Sequence, residues 1–371
     1  MGEGTSIQWA DDTHNFWRIC TKVSPGCKNC YAETLLKNRR GEKWGKGAPR
    51  IRLKAFDAPI RWNKKPWVCD LCGSRSAANR RDNGSCLNPL CPYRDGSAGS
   101  FHRRRVFSLS LGDWLDEEVP IEWLADMLNV IHQCPNLDFL LLTKRPENWS
   151  PRMESIRLHG LDQKWVSTKW DMENQPPHNV WIGVSVEDQQ RADERIPQLL
   201  KIPARIRFLS VEPLLGPVRL DFEWRNDLQR WDSAGRELEP RRIDWVIVGG
   251  ESGPGARPCK VDWIRSVRDQ CKAAGVPMFV KQLGSNPHRN GEDESETTIL
   301  LDHKKGGDIS EWAEDLRIRE FPYQPMRDAN PRHLRVTSGE AMVRGRSACA
   351  GNLIDGDSLD HGGRAPKAEN L

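Results

Sequence analysis

The sequence predicts an α/β protein built on a parallel sheet, and two observations carry that reading. Short, nearly continuous apolar runs (VFSLSL, DFLLLT, VWIGVSV, IRFLSV, DWVIVG and VPMFVKQ) alternate with stretches of helical period between Val106 and Gln282. Strands that are apolar on both faces need cover on both, which is the setting of parallel strands joined by helices. Polar residues follow the runs as Asp113, Lys144-Arg145, Glu187, Glu212, Glu251 and Lys281-Gln282. In such folds the loops after the strands' C-terminal ends build the site. The pattern fits both an open doubly wound sheet and a barrel.

Local signals set the elements in order. A short strand is expected around Ile7–Trp9. After Cys30, YAETLLKNRR reads as a helix with Ala32, Leu35 and Leu36 on one face and basic residues at its end, where they complement the helix dipole. IEWLADMLNVIHQ places Ile121, Leu124, Leu128 and Ile131 at helical spacing. Residues 146–178 are expected as a loop region. DQQRADERIPQLLK opens on Asp188 as N-cap and turns Ala192, Ile196 and Leu199 inward. DWIRSVRDQCKAAG is bounded by Asp262 at its start and Gly275 at its end. Residues 285–300 are polar and expected as a loop. Residues 323–371 are polar, Gly-rich and Arg-rich, and are expected as a mostly disordered tail.

The 371 residues suffice for one large domain or two ordinary ones, and 37% hydrophobic content with a mean hydropathy of -0.69 describes a polar chain that still buries a core. A net charge of +4 is too small to establish nucleic-acid binding, so local clustering has to decide. No apolar run approaches a membrane span, and MGEGTSIQW lacks a signal-peptide core. No membrane partner is expected, and the protein is expected in the cytoplasm. Of 11 cysteines, seven fall in two tight groups, which in a cytosolic chain points to metals rather than disulfides. Cys134 and Cys271 are expected as buried helix residues.

The first group is Cys20-x6-Cys27-x2-Cys30, with Pro25 and Gly26 turning the chain. A structural zinc is usually closed by four ligands, whereas an iron–sulfur cluster held by three cysteines leaves one iron open to another molecule. Spacing alone leaves both the open cluster and a zinc knuckle completed by His14. The second group, Cys69-x2-Cys72-x13-Cys86-x4-Cys91, is the closed set that a structural zinc takes. It lies in residues 66–105, which read as an inserted module too small to bury a core, so that metal binding would fold it. Arg75, Arg80, Arg81, Arg94 and Arg103–Arg105 decorate it, either as a nucleic-acid footprint or as part of a scaffold. From Lys37 to Lys54 there are eight basic residues against one acid, Glu42, with Trp44 among them. Such a run suits a phosphate backbone and a stacking contact, or a solvated loop. GGESGPGARP is neither a phosphate loop nor a dinucleotide fingerprint; its glycines would let backbone approach a ligand, or simply make a turn.

The run SIQWADDTHNFWRICTKVSPGCKNCYAE resembles the start of a phage-encoded family similar to radical S-adenosylmethionine (SAM) enzymes. FSLSLGDWLDEEVP, LLTKRPENW, VWIGVSVEDQQRADERIP, RFLSVEPLLGP, DWVIVGGESGPGARP, VPMFVKQLG and DLRIREFP continue its pattern, in order, to Pro322. RWNKKP and RRVFSLSLGDW read continuously without the insert. The loop departs from the usual radical SAM form, with six residues rather than three between its first two cysteines, and Tyr31 following the last. The resemblance implies a partial (β/α)6-type radical SAM barrel over residues 1–322, and the cysteine spacing reads residues 66–105 as a zinc ribbon inserted into it.

It also implies a chemistry. Cys20, Cys27 and Cys30 would hold a [4Fe–4S] cluster whose fourth iron binds the amino and carboxylate groups of SAM. A reducing electron donor supplies one electron, the sulfonium C–S bond breaks, and a 5′-deoxyadenosyl radical takes hydrogen from an unactivated carbon. From strand position and charge, Asp113 is expected at the methionine amino group, Lys144 at its carboxylate, and Ser185 and Glu187 at the ribose hydroxyls. The implied substrate is DNA: a thymidine whose amino-acid-like substituent is isomerised from an N-linked to a C-linked form, a hypermodification that hides viral DNA from host restriction. The competing readings are a zinc-binding nucleic-acid adaptor without redox chemistry, and a radical SAM enzyme acting on RNA, peptide or damaged DNA.

Overall fold

The computed structural model describes residues 4–77, 86, 88–92, 101–161, 165–220, 222, 242–290 and 296–322. The expected tail over 323–371 lies outside the described residues, as do Arg80, Arg81 and Arg94. Seven parallel strands form the main sheet: β1 (Asp12–His14), β2 (Arg105–Ser108), β3 (Asp138–Thr143), β4 (Val180–Ser185), β5 (Ile206–Val211), β6 (Trp245–Gly249) and β7 (Met278–Gln282), neighbours in that order. The helices of ten or more residues are α1 (Tyr31–Arg40), α2 (Ile121–His132), α3 (Trp149–Leu158), α4 (Gln189–Lys201) and α5 (Val261–Ala274), and a short helix lies at Ala58–Trp62.

Alternation along each strand sorts side chains onto two faces. Val106, Leu141, Ile182, Leu209, Val246 and Val280 pack with helix residues such as Leu124, Leu128, Ile196 and Ile264. The opposite face carries Phe107, Leu140, Trp181, Phe208, Trp245 and Phe279, gathered around Trp9. Neighbouring strands stand about 4.8 Å apart, so β2 and β6 would be roughly 19 Å apart in a flat sheet. Yet the Trp9 ring centroid lies 4.6 Å from that of Phe107 in β2 and 6.4 Å from that of Trp245 in β6. The sheet is therefore curled into a half-barrel around an aromatic plug. Gly183 in β4 makes room for it, since a Cβ there would come within 2.6 Å of Phe208 Cδ2.

Several expectations hold closely. β3 and β5 have the bounds of their apolar runs, Asp188 caps α4 by accepting from the Arg191 N–H at 2.9 Å, and Gly275 closes α5 at φ 66°. Cys134 and Cys271 are buried, Cys271 within α5 and Cys134 just past α2. Others shift. The first strand lies at Asp12–His14, because Ile7–Trp9 turns so that Trp9 can enter the plug. Residues 146–178 are not a loop: α3 buries Trp149, Met153 and Ile156, and a π-helical segment follows at Trp165–Met172. Asp262 is not the cap of α5; Lys260 holds that position, and Asp262 pairs with Arg265 at 3.0 Å in the first turn. Within 285–300, Pro287–Asn290 pairs with Cys259–Lys260 and with Glu296–Thr298 in a small sheet.

The inserted module has its own antiparallel sheet, with Trp67–Cys69 between Arg75–Ser76 and Phe101–Arg103. No helix among the described residues is long and apolar enough to cross a membrane.

The plug yields a test. Gly183→Ala is expected to destabilise the fold by about 1–3 kcal/mol, the usual cost of overpacking a dense core. Guanidinium unfolding checks this: the midpoint should fall with little change in slope, and an unchanged midpoint would contradict the tight contact with Phe208.

Candidate functional site

The chain leaves β1 at His14 and loops back to α1, and this places Cys20–Cys30 over the C-terminal ends of the parallel strands. Four strand ends hold the loop. Arg145, after β3, donates to Cys20 Sγ at 3.5 Å and to the Thr21 carbonyl at 2.7 Å. Glu187, after β4, accepts from Ser24 Oγ at 2.7 Å. Glu251, after β6, accepts from Asn29 Nδ2 at 2.9 Å, and its partner Arg257 donates to the Pro25 carbonyl at 2.9 Å. Tyr31 OH donates to the Ser110 carbonyl, after β2, at 2.6 Å. Gly26 permits the close seat, since a Cβ would stand 2.7 Å from Glu187 Cδ.

The residues expected to meet one ligand are brought together. Lys144 Nζ donates to Ser185 Oγ at 2.8 Å and stands 3.6 Å from Glu187 Oε1. Glu187 is fully buried, and its second oxygen accepts from Arg195 at 2.9 Å. Asp113 adjoins them but has a different job. Its Oδ1 accepts from the Leu115 N–H at 3.0 Å and Thr143 Oγ1 at 2.7 Å; its Oδ2 accepts from the Lys144 N–H and Arg145 Nη1, both at 2.9 Å. A carboxylate has about four acceptor positions, so Asp113 is saturated by the protein. It positions Lys144 and Arg145 instead of offering a free oxygen to a methionine amino group.

The concave face changes character along the strands. Above the aromatic plug, alternation brings Ser185, Ser210, Gly249 and Lys281 to the same side, with Ser185 and Ser210 in register on β4 and β5. Lys281 Nζ stands 3.1 Å from Glu212 Oε1 after β5, and Gly249 of the strand between them leaves room for that carboxylate.

Burial and the charge of Asp113 push the Cys20 thiol up to about 12 against the pull of Arg145, and burial raises Cys30 as well. A metal centre must therefore displace protons from these thiols at neutral pH. Among the described residues one group of three or more ligand atoms gathers within 4.8 Å, and it is Cys69, Cys72, Cys86 and Cys91, not the loop thiols with His14. His14 sits edge-on to Phe16 and Trp62, and burial takes its pKa down to about 4. Three cysteine thiols, one of them contacted by Arg145, are a donor set of the kind an iron–sulfur cluster takes, and hydrogen bonds to sulfur tune such a centre. The four-cysteine group could hold a metal ion.

The described arginines of the insert, Arg75 and Arg103–Arg105, face partners within the protein. Arg104 is fully buried against Asp12, Arg105 pairs with Asp11 at 3.2 Å, Arg103 reaches the Pro135 and Leu137 carbonyls, and Arg75 reaches Asp12 at 2.8 Å. Their charge is plain in the sequence, whereas their carboxylate partners Asp11 and Asp12, at the start of β1, are not announced by any local pattern. In the basic run, Arg50 is buried against Asp116 at 2.8 Å and Arg52 pairs with Asp126 at 2.8 Å. Arg39, Arg40, Lys43, Lys46 and Lys54 remain exposed.

The family described as Protein of unknown function (DUF5131) matches residues 4–362. No curated protein and no solved structure matches the chain.

The seat of the loop can be probed through its thiols. Gly26→Ala should lift the loop from Glu187 and raise the alkylation rate of Cys27, which is buried here, by about tenfold, with little change in global unfolding. Unchanged labelling would mean that the loop is not held by this contact.

Proposed function

This chain belongs to the DUF5131 family, and we propose that it is a radical SAM enzyme acting on a thymidine in DNA that carries an amino-acid-like substituent. The observation that carries the reading is the three-cysteine loop seated on the strand ends of a parallel half-barrel, with Arg145 against one sulfur and Lys144, Ser185 and Glu187 beside it. Cys20, Cys27 and Cys30 would hold a [4Fe–4S] cluster with one iron open to SAM. When bound, the two supply a carbon-centred radical able to take hydrogen from an unactivated carbon.

The chain's own residues bind and orient. Lys144 presents its ammonium to the methionine carboxylate, and Ser185 takes a ribose hydroxyl. Glu187, held by Arg195 and Ser24, aims Lys144 and closes the loop over the strand ends. The aromatic plug below keeps water from the floor of the site.

Lys281 and Glu212 are assigned to the substituent. An α-amino-acid group carries one positive and one negative charge. Exchanged into this ion pair, it leaves no charge uncompensated, whereas an unpaired charge in a half-dry site is costly. Moving the substituent from nitrogen to carbon conserves atoms between substrate and product, so the reaction is an isomerisation. The exposed Arg39, Arg40, Lys43, Lys46 and Lys54 suit the phosphate backbone of a polymer. The four-cysteine group is assigned to structural zinc, because four thiolates close a tetrahedron and leave no position for substrate. Against the adaptor reading, Arg75, Arg104 and Arg105 of the insert serve as internal counter-ions to Asp11 and Asp12.

Anaerobic reconstitution with iron and sulfide tests the cluster. The wild type should bind about four irons at the loop and release 5′-deoxyadenosine, and Cys20→Ala, Cys27→Ala and Cys30→Ala should each lose both. Full iron and normal product in all three variants would sink the reading. Lys281→Met tests the substrate assignment. Turnover of modified DNA should fall about ten- to a hundredfold, the worth of a charge-assisted hydrogen bond, while SAM cleavage without substrate is retained. Equal turnover by variant and wild type would remove Lys281 from substrate recognition.

A further inference from the structure

We propose that the four-cysteine site holds one tetrahedral, thiophilic ion of the zinc class, and that this ion is a brace on β1, the strand from which the Cys20–Cys30 loop hangs. The inference stands on the insert and the first strand alone and does not depend on the radical SAM reading.

The sulfur spacing sets the number of ions. Cys69 and Cys91 Sγ stand 3.9 Å apart, Cys72 and Cys86 Sγ 3.5 Å, and all four lie within 4.8 Å of one another. A zinc–sulfur bond of 2.3 Å gives tetrahedral edges of about 3.8 Å. Four thiols this close surround one ion and leave no room between them for several irons. Ser74 Oγ, 2.9 Å from Cys86 Sγ, and the Asn88 N–H, 3.5 Å from it, are outer partners that orient a thiolate.

The ion has structural work to do because the described residues of the module form almost no core. Its apolar cluster is Cys69, Cys86, Cys91 and Phe101, joined by Trp67, Leu71 and Cys72, so most of its members are the ligands themselves. With the ion gone, short strands of two and three residues have little else to hold them.

Those strands carry side chains that fasten β1. Arg75, on one edge strand of the module, donates to Asp12 Oδ1 at 2.8 Å and to the Asp11 carbonyl at 3.3 Å. His102, on the other, meets Asp11 Oδ2 at 2.9 Å and joins Asp70, the neighbour of ligand Cys69, through its second nitrogen. Arg104 and Arg105 follow directly and take Asp12 and Asp11. Both edge strands pair with Trp67–Cys69, which ends on a ligand. β1 needs this fastening: it has three residues and, among the described strands, lies at the edge of the sheet and pairs with β2 alone. Cys20 follows six residues after its end. The chain of contacts therefore runs from the ion through the module's strands to Asp11 and Asp12, and along β1 to the loop.

The experiment uses the full chain, before any iron is added, and reads hydrogen exchange by segment together with zinc content. One zinc per chain is expected. Withdrawing it with a chelator, or by Cys72→Ser, should speed exchange at residues 11–20 at least tenfold while β3–β6 stay protected, and returning zinc should restore protection to the chelated protein. Arg75→Gln keeps all four thiols, so it covers the case in which the cysteine variant fails to fold; it should speed exchange in the same residues with zinc still bound. Loosening confined to 67–103 on metal loss, unchanged exchange at 11–20 in Arg75→Gln, or iron in place of zinc at this site would each overturn the proposal. None of these readouts involves SAM, so failure of the enzyme reading and failure of the brace are separable.

Discussion

A parallel sheet that curls encloses a concave face, and that face has to be filled. Trp9, Phe107, Trp181, Phe208, Trp245 and Phe279 fill it at the N-terminal end of the strands. The side-chain alternation that sends these rings inward also sends Ser185, Ser210, Gly249 and Lys281 inward two to four residues later. Small and polar residues cannot complete the plug, so the strands end in an open mouth. The polar groups of the molecule that matter most are set around that mouth because the aromatic residues occupy the other end.

Buried carboxylates then organise what lies over the mouth. Asp113, Glu187 and Glu251 each accept from donors supplied by other strands or by the cysteine loop. A buried charge is tolerated when it is paired and hydrogen-bonded, and the requirement works in reverse: the loop must stay where it satisfies them. At the other end of β1, burial alone would raise the Asp11 pKa, but Arg105 and His102 outweigh it and hold the carboxyl well below its usual range. Asp11 therefore contributes stability above the unfolded carboxylate range, and that contribution is lost only as the pH falls toward the depressed value. β1 is short, yet it connects two electrostatic anchors, one on the insert and one under the loop.

Much of the sheet was legible because its strands are apolar on both faces and separated by helices of clear period; β3 and β5 match their runs to the residue. The strand-end positions of Lys144, Ser185 and Glu187 were legible for the same reason, since strand ends can be read off once strands are placed. What the sequence concealed was pairing across distance. Arg145 meets Cys20 and Ser24 meets Glu187 over separations of 125 and 163 residues, and no local pattern announces them. The three consecutive arginines 103–105 illustrate the limit: their charge reads as a surface patch, whereas their positions entering β2 turn them toward Asp11, Asp12 and neighbouring carbonyls. The alternation Ile7-Gln8-Trp9 has the look of a strand, while the role of Trp9 as a plug depends on a curl that no short window contains. The segment of α3 was missed because its apolar residues are few and Pro151 sits in the first turn, where proline is in fact tolerated.

The central claim is that the loop carries a cluster with one iron open to a ligand. Electron paramagnetic resonance of the reconstituted, reduced protein, recorded with and without SAM, tests it most directly. The account predicts the signal of a reduced [4Fe–4S] cluster whose shape changes when SAM is added, because SAM binds the open iron. A protein that takes up no iron at the loop, or whose cluster signal is indifferent to SAM, would contradict it.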